Sequence, residues 1–230
     1  MRFITNPKTS VRLTLLESYD TYPHTRSLED AVMPYSDDPD QPQFFSADLC
    51  AAADIDASTF KNWISREPYA IRLTEDDRRA IGTGRPHLFT LRTVLQAAIC
   101  AAFVRLGLPP RRSGSFAELF MNLSHGDVRD AKWRAAGELF PTGSTVLVAF
   151  PAGPQDKKEL WGSVAVNMTR ETRFEDVFKQ LNGGREAAAV IINVSAIYER
   201  VQKALGPDFA PDFRRKKAVR PHAAGRLAGA

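Results

Sequence analysis

From Ala57 to Arg66 the chain reads ASTFKNWISR. At helical spacing Ser58, Asn62 and Ser65 fall on one side with Lys61 and Arg66 flanking them, while Ala57, Phe60, Trp63 and Ile64 gather on the other. The outward groups have the chemistry that reads nucleic acid. A side-chain amide pairs with both edge groups of adenine, a hydroxyl meets either base edge, and lysine or arginine holds phosphate oxygens. Asn62 is therefore a candidate for adenine, Ser58 and Ser65 for base edges, and Lys61, Arg66 and Arg72 for phosphates. Arg85, at the tip of the Gly-rich stretch GTGRP, is a further candidate, for phosphate or for the minor groove. Arg78 and Arg79 stand beside Glu75, Asp76 and Asp77, which can absorb their charge. A plain solvated helix face is the competing reading of the same residues.

Two elements have to position that face. Ser46 is placed to cap a helix over Ala47–Ala53, and Asp56 to cap a second from Ala57 to about Arg66, because each side-chain oxygen can accept from an orphan backbone N–H. Helix, tight turn and helix with a polar outer face is the helix-turn-helix arrangement, whose second helix enters a major groove about 12 Å wide. After Pro68, YAIRL alternates like a short strand, TEDDRRAIGTGRP is rich in turn formers, and HLF suits a return strand, so a small hairpin or wing is expected. TLRTVLQAAICAAFVRLG then reads as a helix capped by Thr90 and stopped by Gly107 ahead of Pro109 and Pro110. It is apolar on most faces, which suits either the core or a subunit contact.

At the level of motif, FSADLCAAADIDASTFKNWI resembles the winged helix-turn-helix of MerR-type regulators, whose pattern has an aromatic residue, a first helix, and then Ser-x-x-Thr-Leu-Arg-Tyr-Tyr. Asp56 stands at the capping Ser, Thr59 at the Thr, Phe60 at the Leu, Lys61 at the Arg, and Asn62 with Trp63 at the two aromatics. GRPHLFT resembles the family's wing and return strand, with Arg85 in the basic wing position and Phe89 at the aromatic before the third helix. The resemblance covers about residues 44–107, with Asp54 where a Gly is common and no long heptad helix after Gly107. It implies binding to double-stranded DNA and transcription regulation in a bacterial cell.

Beyond Arg112, FAELFMNLSHGDVRDAKWRAAGELFPTGS suits two short helices broken near Gly126. TVLVAF and WGSVAVNM read as strands, FEDVFKQL as a helix, AAAVIINV as a strand and SAIYERVQKAL as a helix, a β-β-α-β-α order. The organisation expected is thus α+β: an irregular acidic arm over 1–43, a winged helix-turn-helix over 44–112, a small α/β domain over 113–206 for dimerisation or effector binding, and a disordered basic tail over 207–230. The arm carries a net charge of −3 and the tail +4, within +4 for all 230 residues. Arg214, Arg215, Lys216, Lys217 and Arg220 of the tail would add non-specific DNA affinity, or merely solubility. A homodimer would make the DNA site a palindrome.

Other chemistries find little support. His24, His87, His125 and His222 are scattered, Cys50 and Cys100 suit two reduced core thiols, and no metal-ligand spacing, nucleophile elbow or phosphate loop stands out. No enzyme activity, metal or cofactor is therefore expected. The longest apolar run, AAICAAFV, is far below the roughly 20 residues that span a bilayer, and no leader is visible, so the expectation is a cytoplasmic protein without a membrane partner. Two other roles fit the same residues: a mobile-element or phage DNA-binding factor of the excisionase or packaging-initiation kind, and a protein-interaction module docking a partner on its apolar third helix.

Overall fold

The computed structural model describes residues 38–77, 86–124, 134–151, 161–181, 188–206 and 209. Over them the chain is mixed α+β, with six helices and a three-stranded antiparallel sheet. Helix α1, Ser46–Ala53, begins one residue earlier than its sequence suggests, because Phe45 takes the N-cap position and the Asp48 carboxylate accepts its N–H at 2.8 Å. Helix α2, Ala57–Ser65, is capped by Asp56 as expected. Helix α3, Leu91–Arg105, starts where the Thr90 hydroxyl accepts the Thr93 N–H, and the chain turns at Gly107 with φ +90°. The interior reading of α3 holds: Leu91, Thr93–Ala101 and Phe103 are all buried.

Helix α4 runs from Pro110 to Asn122, one long helix beginning at a proline whose missing N–H would be unpaired there in any case. The second helix expected after it is absent from 134–140. There Arg134 is buried, its guanidinium donating to the Phe120 and Leu123 carbonyls at the end of α4 and to Ala135, and Gly137 takes φ +72°. Burial pushes the Arg134 pKa down to about 10, which leaves it charged at neutral pH, and the Phe120 ring lies 4.0 Å beneath it. The expected break at Gly126 lies outside the described residues.

Strands β1 (Ser144–Pro151), β2 (Trp161–Met168) and β3 (Val190–Asn193), with helices α5 (Phe174–Gln180) and α6 (Val194–Leu205), follow the β-β-α-β-α order. The sheet order is β2-β1-β3, with Val146 opposite Val166 and Leu147 between Ala165 and Ile192. Alternation along β1 sends Leu147 and Ala149 into the main helical core, while Val146 and Val148 join Val166, Val177 and Leu181 on the opposite face, under α5. The main core takes in Phe44, Phe103, Leu147 and Tyr198, so it is continuous across residue 112, and all the described residues belong to one compact unit.

Two expectations fail between α2 and α3. YAIRL forms no strand, because the Ala70 and Ile71 N–H groups donate to the Trp63 carbonyl and tie the segment to the end of α2. HLF forms no extended strand among the described residues: Phe89 bridges to Phe44, and Leu88 beside it is a bridge residue as well. The rest of the expected wing, residues 78–85, lies outside the described residues, as do most of the acidic arm and nearly all of the basic tail. No described helix is long and apolar enough to cross a membrane.

Candidate nucleic-acid interface

The turn between α1 and α2 is three residues, Asp54 to Asp56. Asp54 closes α1 in the left-handed conformation, φ 54° and ψ 55°, at the place where Gly is common in the resembled pattern. A residue with a Cβ pays about 1 kcal/mol there, although aspartate enters this region more readily than most. Arg105, at the far end of α3, offsets this. Its Nη2 donates to the Ala53 carbonyl at 3.0 Å, the Asp54 carbonyl at 2.6 Å and the Asp54 carboxylate at 2.9 Å. A cation on the last carbonyls of α1 satisfies acceptors left open by the helix and suits the negative end of its dipole. The Ile55 N–H donates to the Cys50 carbonyl at 3.0 Å and completes the turn.

Helix α2 leaves this turn with its first N–H groups held by Asp56, whose carboxylate accepts the Thr59 N–H and the Thr59 hydroxyl at 2.7 Å each, and the Ser58 hydroxyl. These bonds, led by that from Ser58, hold the Asp56 pKa well below its ordinary value of 3.8. Phe60 and Trp63 form the buried underside, and Phe60 meets Phe89 edge to face at 5.2 Å. Ser58, Lys61, Asn62, Ser65 and Arg66 are all exposed. By helix geometry Ser58, Asn62 and Ser65 lie within an arc of about 60°, with Lys61 about 40° beyond Ser65. The Ser65 hydroxyl donates to the Lys61 carbonyl at 2.6 Å, so it and Ser58 retain acceptor capacity toward an outside partner.

Arg72 is exposed as well, on the segment that returns from α2. That segment is pinned twice, by the bonds from Ala70 and Ile71 to Trp63 and by contact with α4 at Gly114, where a Cβ would overlap the Ala70 carbonyl oxygen. Beyond it, the buried Asp77 carboxylate accepts from the Thr74 N–H (2.8 Å), the Thr90 N–H (2.9 Å) and the Thr93 hydroxyl (2.8 Å), joining the chain to the start of α3. The structure thus brings six of the seven candidates onto α2 and the segment after it. Arg85, the seventh, lies outside the described residues.

Arg105, Gly114 and Asp77 are positioning residues that the sequence reading missed. Arg105 lies 51 positions from Asp54, and no local pattern announces such a contact. For Gly114, the one available signal is a glycine inside a helical pattern, which points to close backbone approach.

Behind the turn, Cys50, Ile55, Thr59, Trp63, Val104 and Arg105 line an open cleft of about 580 Å³. Desolvation and the Asp56 charge raise the Cys50 pKa, so its thiol stays protonated at neutral pH and supplies no thiolate nucleophile. Cys100, deep in α3, is pushed up to about 12 by burial. Among the described residues no group of three His, Cys, Asp or Glu side chains could hold a metal ion. A scan of the chain against protein-family models finds no match, and a search of curated proteins finds none either.

Proposed function

We propose that this chain binds double-stranded DNA in a sequence-specific manner, in the manner of a winged helix-turn-helix transcription regulator, with α2 in the major groove. The observation that carries the reading is the α1–Asp54–α2 unit: two capped helices joined by a three-residue turn, with Ser58, Lys61, Asn62 and Ser65 exposed on one arc of the second. Asn62 is the residue for adenine, donating from its amide nitrogen to N7 and accepting from N6. Ser58 and Ser65, whose hydroxyl protons are held within the chain, act as acceptors toward cytosine N4 or adenine N6. Lys61, Arg66 and Arg72 hold phosphates on either side, and Arg85 adds a contact beyond them.

The test is a salt titration of binding to mixed-sequence duplex DNA. Each phosphate contact removed should lower the slope of log affinity against log salt by about 0.9, so Lys61→Ala and Arg72→Ala should each reduce it by about one unit. Slopes that stay at the wild-type value in both variants would remove α2 and its return segment from the DNA contact.

A further inference from the structure

The cleft behind the turn is walled by the end of α1, the turn itself, α2 and the last turns of α3. Its volume of about 580 Å³ falls within the range of small-molecule sites, about 300–1,000 Å³, which are mostly apolar with a few placed polar groups. Ile55, Trp63, Ala101 and Val104 supply the apolar part. Four of the lining residues carry polar side chains on the turn, α2 and α3, and one more, Trp63, carries an indole N–H.

Several of these groups have bonding capacity that the chain does not use. Trp63 is only 6% exposed, yet its indole N–H meets no acceptor among the described residues. A buried indole N–H ordinarily finds one, and leaving it without costs free energy. Arg105 engages the turn through Nη2 alone, and its Nε and Nη1 hydrogens meet no acceptor among the described residues either. The Asp54 carboxylate accepts from Arg105 on Oδ2 and leaves Oδ1 open. Asp56, by contrast, is engaged within the chain by Ser58 and Thr59.

We infer that this cleft binds an α-amino acid with an apolar side chain, its carboxylate on the Arg105 and Trp63 donors and its ammonium on the open Asp54 oxygen. Charge selects the head group. A plain carboxylic acid meets the two donors but stands against both Asp54 and Asp56, and a plain amine meets Asp54 but stands against the guanidinium. A head carrying both charges answers each open group and adds no net charge to the wall. The side chain lies on Ile55, Val104 and the Trp63 ring, away from water. An occupant held by Arg105 and Asp54 on one side and Trp63 on the other bridges the turn and α2, so it also affects how α2 is presented. That regulatory effect rests on the DNA reading; the binding itself does not.

The probe is L-leucine, titrated into the full chain without DNA and followed in proton–nitrogen correlation spectra, where the three tryptophans give three indole peaks. The Trp63 peak, assigned by its loss in Trp63→Phe, should move saturably with a Kd of about 0.1–5 mM while the other two stay. 4-Methylpentanoate, which lacks the ammonium, and L-leucinamide, which lacks the carboxylate, should each bind at least about tenfold more weakly. Ala51→Phe, at an exposed α1 position on the cleft wall, should fill the cleft and raise the Kd at least about tenfold with an unchanged circular dichroism spectrum. A Trp63 peak that stays still up to about 20 mM L-leucine, an analogue that binds as tightly, or a Kd unchanged by Ala51→Phe would overturn the inference. Saturating L-leucine should also shift duplex affinity about fivefold or more. A moving Trp63 peak with an unchanged duplex affinity would strike the regulatory effect alone, and a chain that binds leucine but no duplex would fail the DNA reading and uphold the site.

Discussion

Helices α2 and α3 lie in the same half of the fold and differ in almost everything that governs a helix's role. Of the 15 residues of α3, 11 are buried, whereas α2 buries two of its nine. The periodicity of α2 is strong, with Phe60 and Trp63 beneath and a polar arc above, and α3 has almost none because the chain's own elements cover most of its sides. The two also depend on each other. Arg105, on the last turn of α3, holds the left-handed residue that aims α2. One helix supplies stability and the other supplies a surface, so substitutions in them should separate folding from binding.

The largest effect falls on α3. Phe103 is fully buried and meets Phe116 edge to face at 5.3 Å, so Phe103→Ala should cost about 3–5 kcal/mol in chemical denaturation. A cost under about 1 kcal/mol would mean that α3 is not the interior element described here. The paired Lys61→Ala/Asn62→Ala variant should behave in the opposite way. Its unfolding free energy should stay within about 0.5 kcal/mol of wild type, while affinity for a cognate duplex falls about 10- to 100-fold at fixed salt.

Arg105 tests the link between the two helices. Its side chain is 39% exposed, which screens the ion pair to Asp54, but the two backbone acceptors remain, and Arg105→Ala should cost about 1 kcal/mol. Asp54→Gly should recover part of that loss in the Arg105→Ala background, because glycine takes the left-handed conformation without strain. The smallest effect concerns pH. The Asp56 pKa is depressed in the folded chain, so the stability it contributes is complete above its ordinary value of 3.8 and is lost as pH falls below that value. The Tm difference between wild type and Asp56→Ala should therefore hold steady from about pH 7 to pH 5 and shrink below about pH 4.

The legible parts of this molecule are those with local causes. Asp56 and Thr90 announce their caps through side-chain chemistry that acts within three residues, and the strand and helix order of 144–205 follows from apolar alternation and its change of period. The exposed face of α2 could be placed from spacing alone. What escaped has distant causes. The YAIRL segment alternates like a strand yet is claimed by the Trp63 carbonyl, and the segment beginning at Arg134 is held by the end of α4 instead of forming a helix of its own. The continuity of the core across residue 112 is likewise a product of α6 packing on α1 and α3, contacts between residues far apart in sequence.

The central claim is that Ser58, Asn62 and Ser65 read bases while Lys61 beside them holds phosphate, and selection of bound duplexes from a random-sequence pool tests it most directly. Run at low and near-physiological salt with wild type and Asn62→Ala in parallel, it should recover a motif that survives the higher salt and loses an adenine preference in the variant. Binding that never enriches a motif and vanishes with salt would contradict the claim and leave only non-specific attraction to a polyanion.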